Sequence, residues 1–281
     1  MKHLIGLFAL TLILVGCESA DPPEPEAPDS PQPPTEEQQT TATTETEEAC
    51  EITMGWDPWE PYHFSGLGGR VQGLDIDLIT AIAERTDCEI EFLQGSWAGL
   101  LRMIRTGELD LLLGATRTDE REEFAWFSDP YREENFSLYV RSAEAEQWSD
   151  QSLQDLIEGG FRIGVTQGYI YTSEITDLQS DPAHGDQFIE AAVGELNFTH
   201  LLDHRIDGFL EDPFVFTAID RRRNWGVEME PLNLAFGSGE VHMMFSRESV
   251  DESLVQRFNE ALAEMRADSE YDQIRARYLD D

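Results

Sequence analysis

The chain has 281 residues, with 57 Asp plus Glu against 19 Lys plus Arg and a formal net charge of −38. Lys2 is the only lysine, so arginine supplies nearly all of the positive charge. So acidic a chain argues against nucleic acid as a partner, because the phosphate backbone repels it, and it fits a protein working in concentrated salt, where surface repulsion is screened.

At the N-terminus, Lys2 and His3 precede an almost wholly apolar run, Leu4 to Val15, followed by Gly16 and Cys17. This is the layout of a secretory signal peptide over residues 1–16. The run is too short to span a bilayer as a stable helix. Leu14-Val-Gly-Cys17 also resembles the bacterial lipoprotein box, which implies that Cys17 is lipidated and becomes the mature N-terminus; an ordinary signal peptide with a chance cysteine is the alternative. Residues 18–49 hold Pro22, Pro23, Pro25, Pro28, Pro31, Pro33 and Pro34, and no basic or aromatic residue. Such a segment cannot bury enough apolar surface to order itself. Residues 17–49 are therefore expected to be a membrane tether reaching roughly 30 Å.

From residue 50 the pattern alternates strands and helices. Strands are predicted at 52–56, 90–93 and 109–113, with helices at 74–86 and 97–105. Leu74, Leu78 and Ile82 form one stripe of the first helix, Asp75 and Asp77 sit in its first turn, and Gly107 closes the second helix. A second series follows: strands at 136–140, 162–166 and 208–211, helices at 152–158 and 194–204, and a helix opening at Pro213. A strand at 239–246 leads into a long helix capped by Ser249, with Leu254, Phe258 and Leu262 four apart. The fold class is α/β with two lobes, each a mostly parallel sheet flanked by helices. Ligands of such sheets bind outside the carboxyl ends of the strands, so the cleft between the lobes is the expected site.

Cys50 and Cys88 each stand immediately before a predicted strand. If those strands are parallel neighbours their starts lie side by side, and a Cys50–Cys88 disulfide is expected in an oxidising compartment; two free buried thiols are the alternative. Two cysteines do not make a metal site. His200 and His204 are four apart on a helix but have no evident third ligand, so no metal and no cofactor is expected.

Gly114 to Tyr131 is the most informative segment. It follows the apolar run Leu109–Leu113 and reads as a hydroxyl-rich turn at the end of a strand. Thr116 and Thr118 offer donors, and Arg121 offers a planar fork that matches a carboxylate. A surface turn with an exposed arginine is the competing reading.

Several segments together resemble the bacterial extracellular solute-binding proteins of family 3, the amino-acid-binding type. They are Trp59-Glu-Pro-Tyr62, Gly73-Leu-Asp-Ile-Asp-Leu78, Gly107-Glu-Leu-Asp110, Thr116-Arg-Thr-Asp-Glu-Arg121 and Phe127-Ser-Asp-Pro-Tyr131. Weaker pieces are Ile163-Gly-Val-Thr-Gln-Gly168, Arg205 to Asp212 and Tyr271 to Tyr278. The resemblance implies the type II periplasmic-binding-protein fold, with lobe one at 50–135 plus 239–281, lobe two at 136–238, and crossings near Glu134 and Gly239. It implies that Arg121 clamps a ligand carboxylate and Thr116 adds donors. The Gly114 carbonyl and Asp212 would take the ammonium, Asp57 and Trp59 would line the mouth, and Trp97 would form the other wall. After Gly168, where the family usually has threonine, this chain has Tyr169, which is counted with the site. Trp56, Trp59, Tyr62 and Trp97 also read as an aromatic cage for a cation or a ring.

The implied function is capture of a small amino-acid-like solute outside the cytoplasm, at the periplasm or cell surface. The implied partners are an ABC-type permease and the membrane, through the lipid on Cys17, with the protein itself a monomer. A secreted dehydratase-like enzyme on the same scaffold, or a sensor module, is the alternative. No Ser-His-Asp or Cys-His arrangement is legible, so binding rather than catalysis is expected.

Overall fold

The computed structural model describes residues 49–223, 228–234, 236 and 239–279. The signal peptide, Cys17 and the tether up to residue 48 lie outside the described residues. The strands are β1 (Cys50–Trp56), β2 (Phe64–Ser65), β3 (Val71–Gln72), β4 (Cys88–Gln94), β5 (Leu111–Thr116), β6 (Ala125–Phe127), β7 (Arg132–Glu134), β8 (Ser137–Arg141), β9 (Ile163–Thr166), β10 (Phe188–Ala191), β11 (Gly208–Glu211), β12 (Met229–Pro231) and β13 (Gly239–Ser246).

They form two large sheets and a small β2–β3 hairpin. The first sheet has the order β4-β1-β5-β13-β6, with β7 also on β13; the second has the order β10-β9-β11-β8-β12. β1, β4 and β5 run parallel, whereas β13 is antiparallel to β5, β6 and β7. In the second sheet β9, β10 and β11 are parallel and β8 and β12 antiparallel. Both sheets are thus mixed, not mostly parallel as the alternation suggested. Parallel pairing needs a crossover helix between partners. β13 pairs antiparallel with β5, β6 and β7 after a long excursion through β8 to β12, and that is what mixes the first sheet.

Side-chain alternation sorts each strand between two faces. In β5, Leu111 packs with Met54, Phe245 and Phe258, while Leu112 packs with Leu100, Ile104 and Met244 on the opposite side. The helices Leu74–Arg85 and Glu252–Ala267 cover the first of these faces and Trp97–Thr106 the second. The second sheet is covered in the same way, with Tyr139 and Phe209 on one face and Leu138, Val140 and Leu210 on the other. Leu254, Phe258 and Leu262 are all buried, as their spacing predicts.

Two local expectations shift. Helix Glu252–Ala267 begins after Asp251, not Ser249; the Ser249 hydroxyl instead donates to Asp110 Oδ1 at 2.6 Å. β5 runs two to three residues later than the apolar run suggested, so Gly114 and Thr116 belong to the strand, not to a turn after it. Asp75 lies in the first turn of its helix as expected; it is also fully buried and accepts from Tyr131 Oη at 2.7 Å. Cys50 and Cys88 face each other across the parallel β1–β4 pair and are joined by a disulfide, with Cα atoms 4.5 Å apart. Gly73 opens helix Leu74–Arg85 at φ +136°, where a Cβ would stand 2.2 Å from the Tyr62 carbonyl oxygen. Only glycine allows that approach.

Candidate ligand-binding site

The carboxyl ends of β1, β5, β9 and β11 converge. A pocket there is lined by Asp57, Trp59, His63, Trp97, Leu113, Gly114, Thr116, Arg121, Glu134, Tyr169 and Ile170. It brings together seven of the eight residues singled out in the sequence as ligand contacts. A water-sized sphere can be centred over only about 20 Å³ of it, little more than the roughly 10–15 Å³ that holds one water.

Arg121 comes from the short helix Asp119–Glu122, whose N-cap Thr118 accepts from the Arg121 amide at 3.3 Å. Thr118 therefore orients the arginine and does not line this pocket. The Arg121 residue is 6% exposed. Nη1 donates to the Thr116 carbonyl and Nη2 to the Gly168 carbonyl, both at 2.8 Å. The guanidinium carbon lies 5.8 Å from the Trp97 ring centre. Burial lowers its pKa to about 10, so the fork remains charged at neutral pH. Two of its five N–H donors serve carbonyls, and the others remain for an acid group.

Two buried carboxyl groups line the same pocket. Asp57, just past β1, accepts from Tyr169 Oη at 3.2 Å and lies 3.8 Å from His63 Nδ1. His63 Nδ1 also makes a short contact with the Asp57 carbonyl. Burial raises the Asp57 pKa, opposed by His63 and the Tyr169 hydroxyl. Glu134, at the end of β7, is buried; desolvation pushes its pKa up to about 8 although Arg132 pulls it down.

Trp59 and Trp97 stand on either side of Tyr169, each edge-on to it, with ring centres 6.2 and 5.8 Å away. Trp97 opens helix Trp97–Thr106 behind the N-cap Ser96, and its Nε1 donates to the Gly168 carbonyl at 3.0 Å. Trp59 Nε1 reaches Glu211 Oε1 at 3.4 Å. Gly114 holds φ +72°, and a Cβ there would stand 3.2 Å from the Trp59 ring and 3.4 Å from Arg132 Nη2. Its amide donates to Tyr131 Oη at 2.8 Å, the same hydroxyl that donates to Asp75. Of the other aromatics in the expected cage, Tyr62 packs against Trp59 at 4.4 Å and under the Arg132 guanidinium at 3.9 Å. Trp56 is buried within β1 and does not line the pocket.

Asp212 stands apart from the pocket. Its Oδ1 accepts from the Phe214 and Val215 amides at 2.7 and 3.2 Å, capping helix Pro213–Arg223, and its Oδ2 accepts from Tyr62 Oη at 3.1 Å. Both oxygens are engaged by the following helix and by Tyr62, and Asp212 does not line this pocket. Glu134 does line it, and the sequence reading did not count it among the ligand contacts. The available signal was a pair of acids, Glu133-Glu134, in a segment flanked by buried aromatics and assigned to a crossing. His63 and the buried Arg132 were missed as well. Arg132 pairs with Asp75 at 3.5 Å behind Trp59 and Tyr62. His200 and His204 have no third ligand: among the described residues no group of three His, Cys, Asp or Glu could hold a metal ion. No helix among them is long and apolar enough to cross a membrane.

Residues 52–281 match the family described as bacterial extracellular solute-binding proteins, family 3. A probable histidine-binding protein of Neisseria gonorrhoeae is 27% identical over 220 residues, covering 78% of this chain and 79% of its own length. The histidine-binding periplasmic protein of Escherichia coli (strain K12) is 24% identical over 239 residues, covering 82% and 87%. The solved structure of an ancestral arginine-binding protein bound to glutamine superposes with a TM-score of 0.70 at 25% identity, covering 82% of this chain and 98% of that one.

Proposed function

Because the chain belongs to the bacterial extracellular solute-binding proteins of family 3 and is therefore a solute-binding protein with the type II periplasmic-binding fold, we propose that its solute is a free amino acid or a close zwitterionic relative. The observation that carries this reading is that the buried Arg121 fork and the buried acids Glu134 and Asp57 line one pocket. A zwitterion needs a cationic fork for its acid group and an anion for its ammonium, both partly desolvated. Arg121 takes the carboxylate with its remaining N–H donors, helped by Thr116. Glu134 takes the ammonium, together with the Gly114 carbonyl. An ammonium beside Glu134 replaces the proton that burial otherwise favours there. Charge-assisted hydrogen bonds contribute ~1.5–3 kcal/mol each, so a few of them account for a micromolar complex, about 8 kcal/mol. Relatives whose names mention histidine and arginine support the ligand class.

Lobe one comprises 50–135 and 239–281, and lobe two 136–238. Glu134 and Gly239 are register partners on β7 and β13, so the two crossings run side by side as a hinge. Contacts spanning the lobes, among them Trp97 and Arg121 to Gly168, Tyr169 to Asp57 and Trp59 to Glu211, close the cleft, and a ligand touching both sides favours that state. The family is extracellular, so the chain works outside the cytoplasm. Lipidation at Cys17 holds it to a membrane as a monomer, and the closed form is handed to an ABC-type permease. It binds without catalysis. Mass spectrometry of small molecules released from the purified protein by denaturation tests the ligand class: an amino acid or zwitterion is expected, and a purely anionic or sugar ligand would overturn it.

A further inference from the structure

We propose that Tyr169 sets the length of ligand this protein accepts, by filling the end of the cleft and restricting it to amino acids with short side chains. The inference rests on the amino-acid reading above.

The loop after β9 meets the opposite wall at two points. The Gly168 carbonyl accepts from Arg121 Nη2 and Trp97 Nε1, and the Tyr169 hydroxyl donates to Asp57 Oδ2. Between these points the phenol ring is wedged edge-on between Trp59 and Trp97, with interplanar angles of 79° and 80°. Tyr171, two residues on, packs 6.2 Å behind it, with its own hydroxyl fixed by the Thr166 amide at 2.7 Å. The ring is therefore held from three sides and by its oxygen.

An arginine side chain beyond Cβ has about as many heavy atoms as a phenol ring. Here the protein supplies those atoms itself. The Tyr169 hydroxyl also provides the donor that a distal cationic group would present to Asp57. A long side chain must expel the ring and break the bond to Asp57, leaving the loop to repack. A short one leaves both in place and uses the space beside Arg121, Thr116 and Glu134. That space is about 20 Å³ for the centre of a water-sized sphere, so even a small ligand requires a modest opening, but not the loss of Tyr169.

Titration calorimetry of the mature protein with glycine, L-alanine, L-histidine and L-arginine tests this, on wild type, Tyr169→Phe and Tyr169→Ala. Wild type is expected to bind L-alanine at least tenfold more tightly than L-arginine. Tyr169→Phe keeps the ring and is expected to keep that preference. Tyr169→Ala is expected to gain at least tenfold for L-arginine. A wild type that prefers L-arginine or L-histidine overturns the proposal, as does a Tyr169→Ala protein that loses both ligands in parallel, since the ring would then be a contact and not a barrier. If Tyr169→Ala does not melt cooperatively, the wild-type and Tyr169→Phe preferences decide alone. Absence of heat with every amino acid, from proteins that all melt cooperatively, overturns the amino-acid reading itself and the proposal with it.

Discussion

Glu134 gives the sharpest test of the electrostatics. Its carboxyl is 6% exposed, and burial lifts its pKa from 4.5 to about 8. A folded-state pKa raised above the unfolded value means that the closed, ligand-free protein holds a proton which the opened or unfolded chain releases. The associated stability is fully present below pH 4.5 and is lost as pH rises through about 8. At about 1.4 kcal/mol per pH unit, the interval amounts to an upper limit of about 5 kcal/mol. Glu211, raised to about 8 as well, is among the charges that push Glu134 up, so the two titrate together and Glu134 alone carries only a part of that limit. Glu134→Gln mimics the protonated carboxyl at every pH. Urea denaturation of ligand-free protein at pH 5 and pH 8 is expected to show the variant and wild type nearly equal at pH 5, and the variant more stable at pH 8. The same variant is expected to lose most of its ligand affinity. Two denaturation midpoints that move in parallel between the two pH values would refute the assignment of a buried, proton-holding Glu134.

The Cys50–Cys88 bridge spans a sequence separation of 38, for which chain-entropy arguments give about 4 kcal/mol. Cys50→Ser is expected to lower Tm by about 10 °C in scanning calorimetry, given ~2–4 °C per kcal/mol for a domain of this size; a fall under about 2 °C would mean that the bridge constrains little. Asp212→Asn keeps an oxygen for the cap of helix Pro213–Arg223, since asparagine caps about as well as aspartate, and is expected to leave Tm nearly unchanged while weakening the ligand less than Glu134→Gln does; the reverse ranking by calorimetry would restore Asp212 as the ammonium partner. With 57 acidic residues against 19 basic ones, Tm is expected to rise between dilute buffer and about 2 M NaCl as repulsion is screened; a flat or falling Tm would count against surface repulsion as a destabilising force.

Much of this architecture was legible because it rests on short-range signals. Leu74, Leu78 and Ile82 share a stripe and are buried together; the Ser152–Asp155 capping box forms as the spacing predicts. The Cys50–Cys88 pairing was legible because two strand starts carried the only cysteines of the body. The mixed character of the sheets was not, because β6, β7 and β12 are three-residue strands whose pairing is set by β13 and β8, far along the chain. The site followed the same division. Arg121, Thr116 and Gly114 lie in one segment with a recognisable pattern. Glu134 and His63 become site residues only when β7 folds beside β13 and His63 pairs with Trp59. Asp212 was placed by the family resemblance, which does not reveal that its oxygens accept from the following helix and from Tyr62.

The most direct measurement is the affinity of Arg121→Ala for whichever amino acid wild type binds in calorimetry, with melting curves for both proteins. Loss of two charge-assisted bonds corresponds to at least about 3 kcal/mol, so a drop of a hundredfold or more is expected from a protein that still melts cooperatively. An unchanged dissociation constant, within about a factor of two of wild type, would contradict the placement of the ligand's acid group on Arg121.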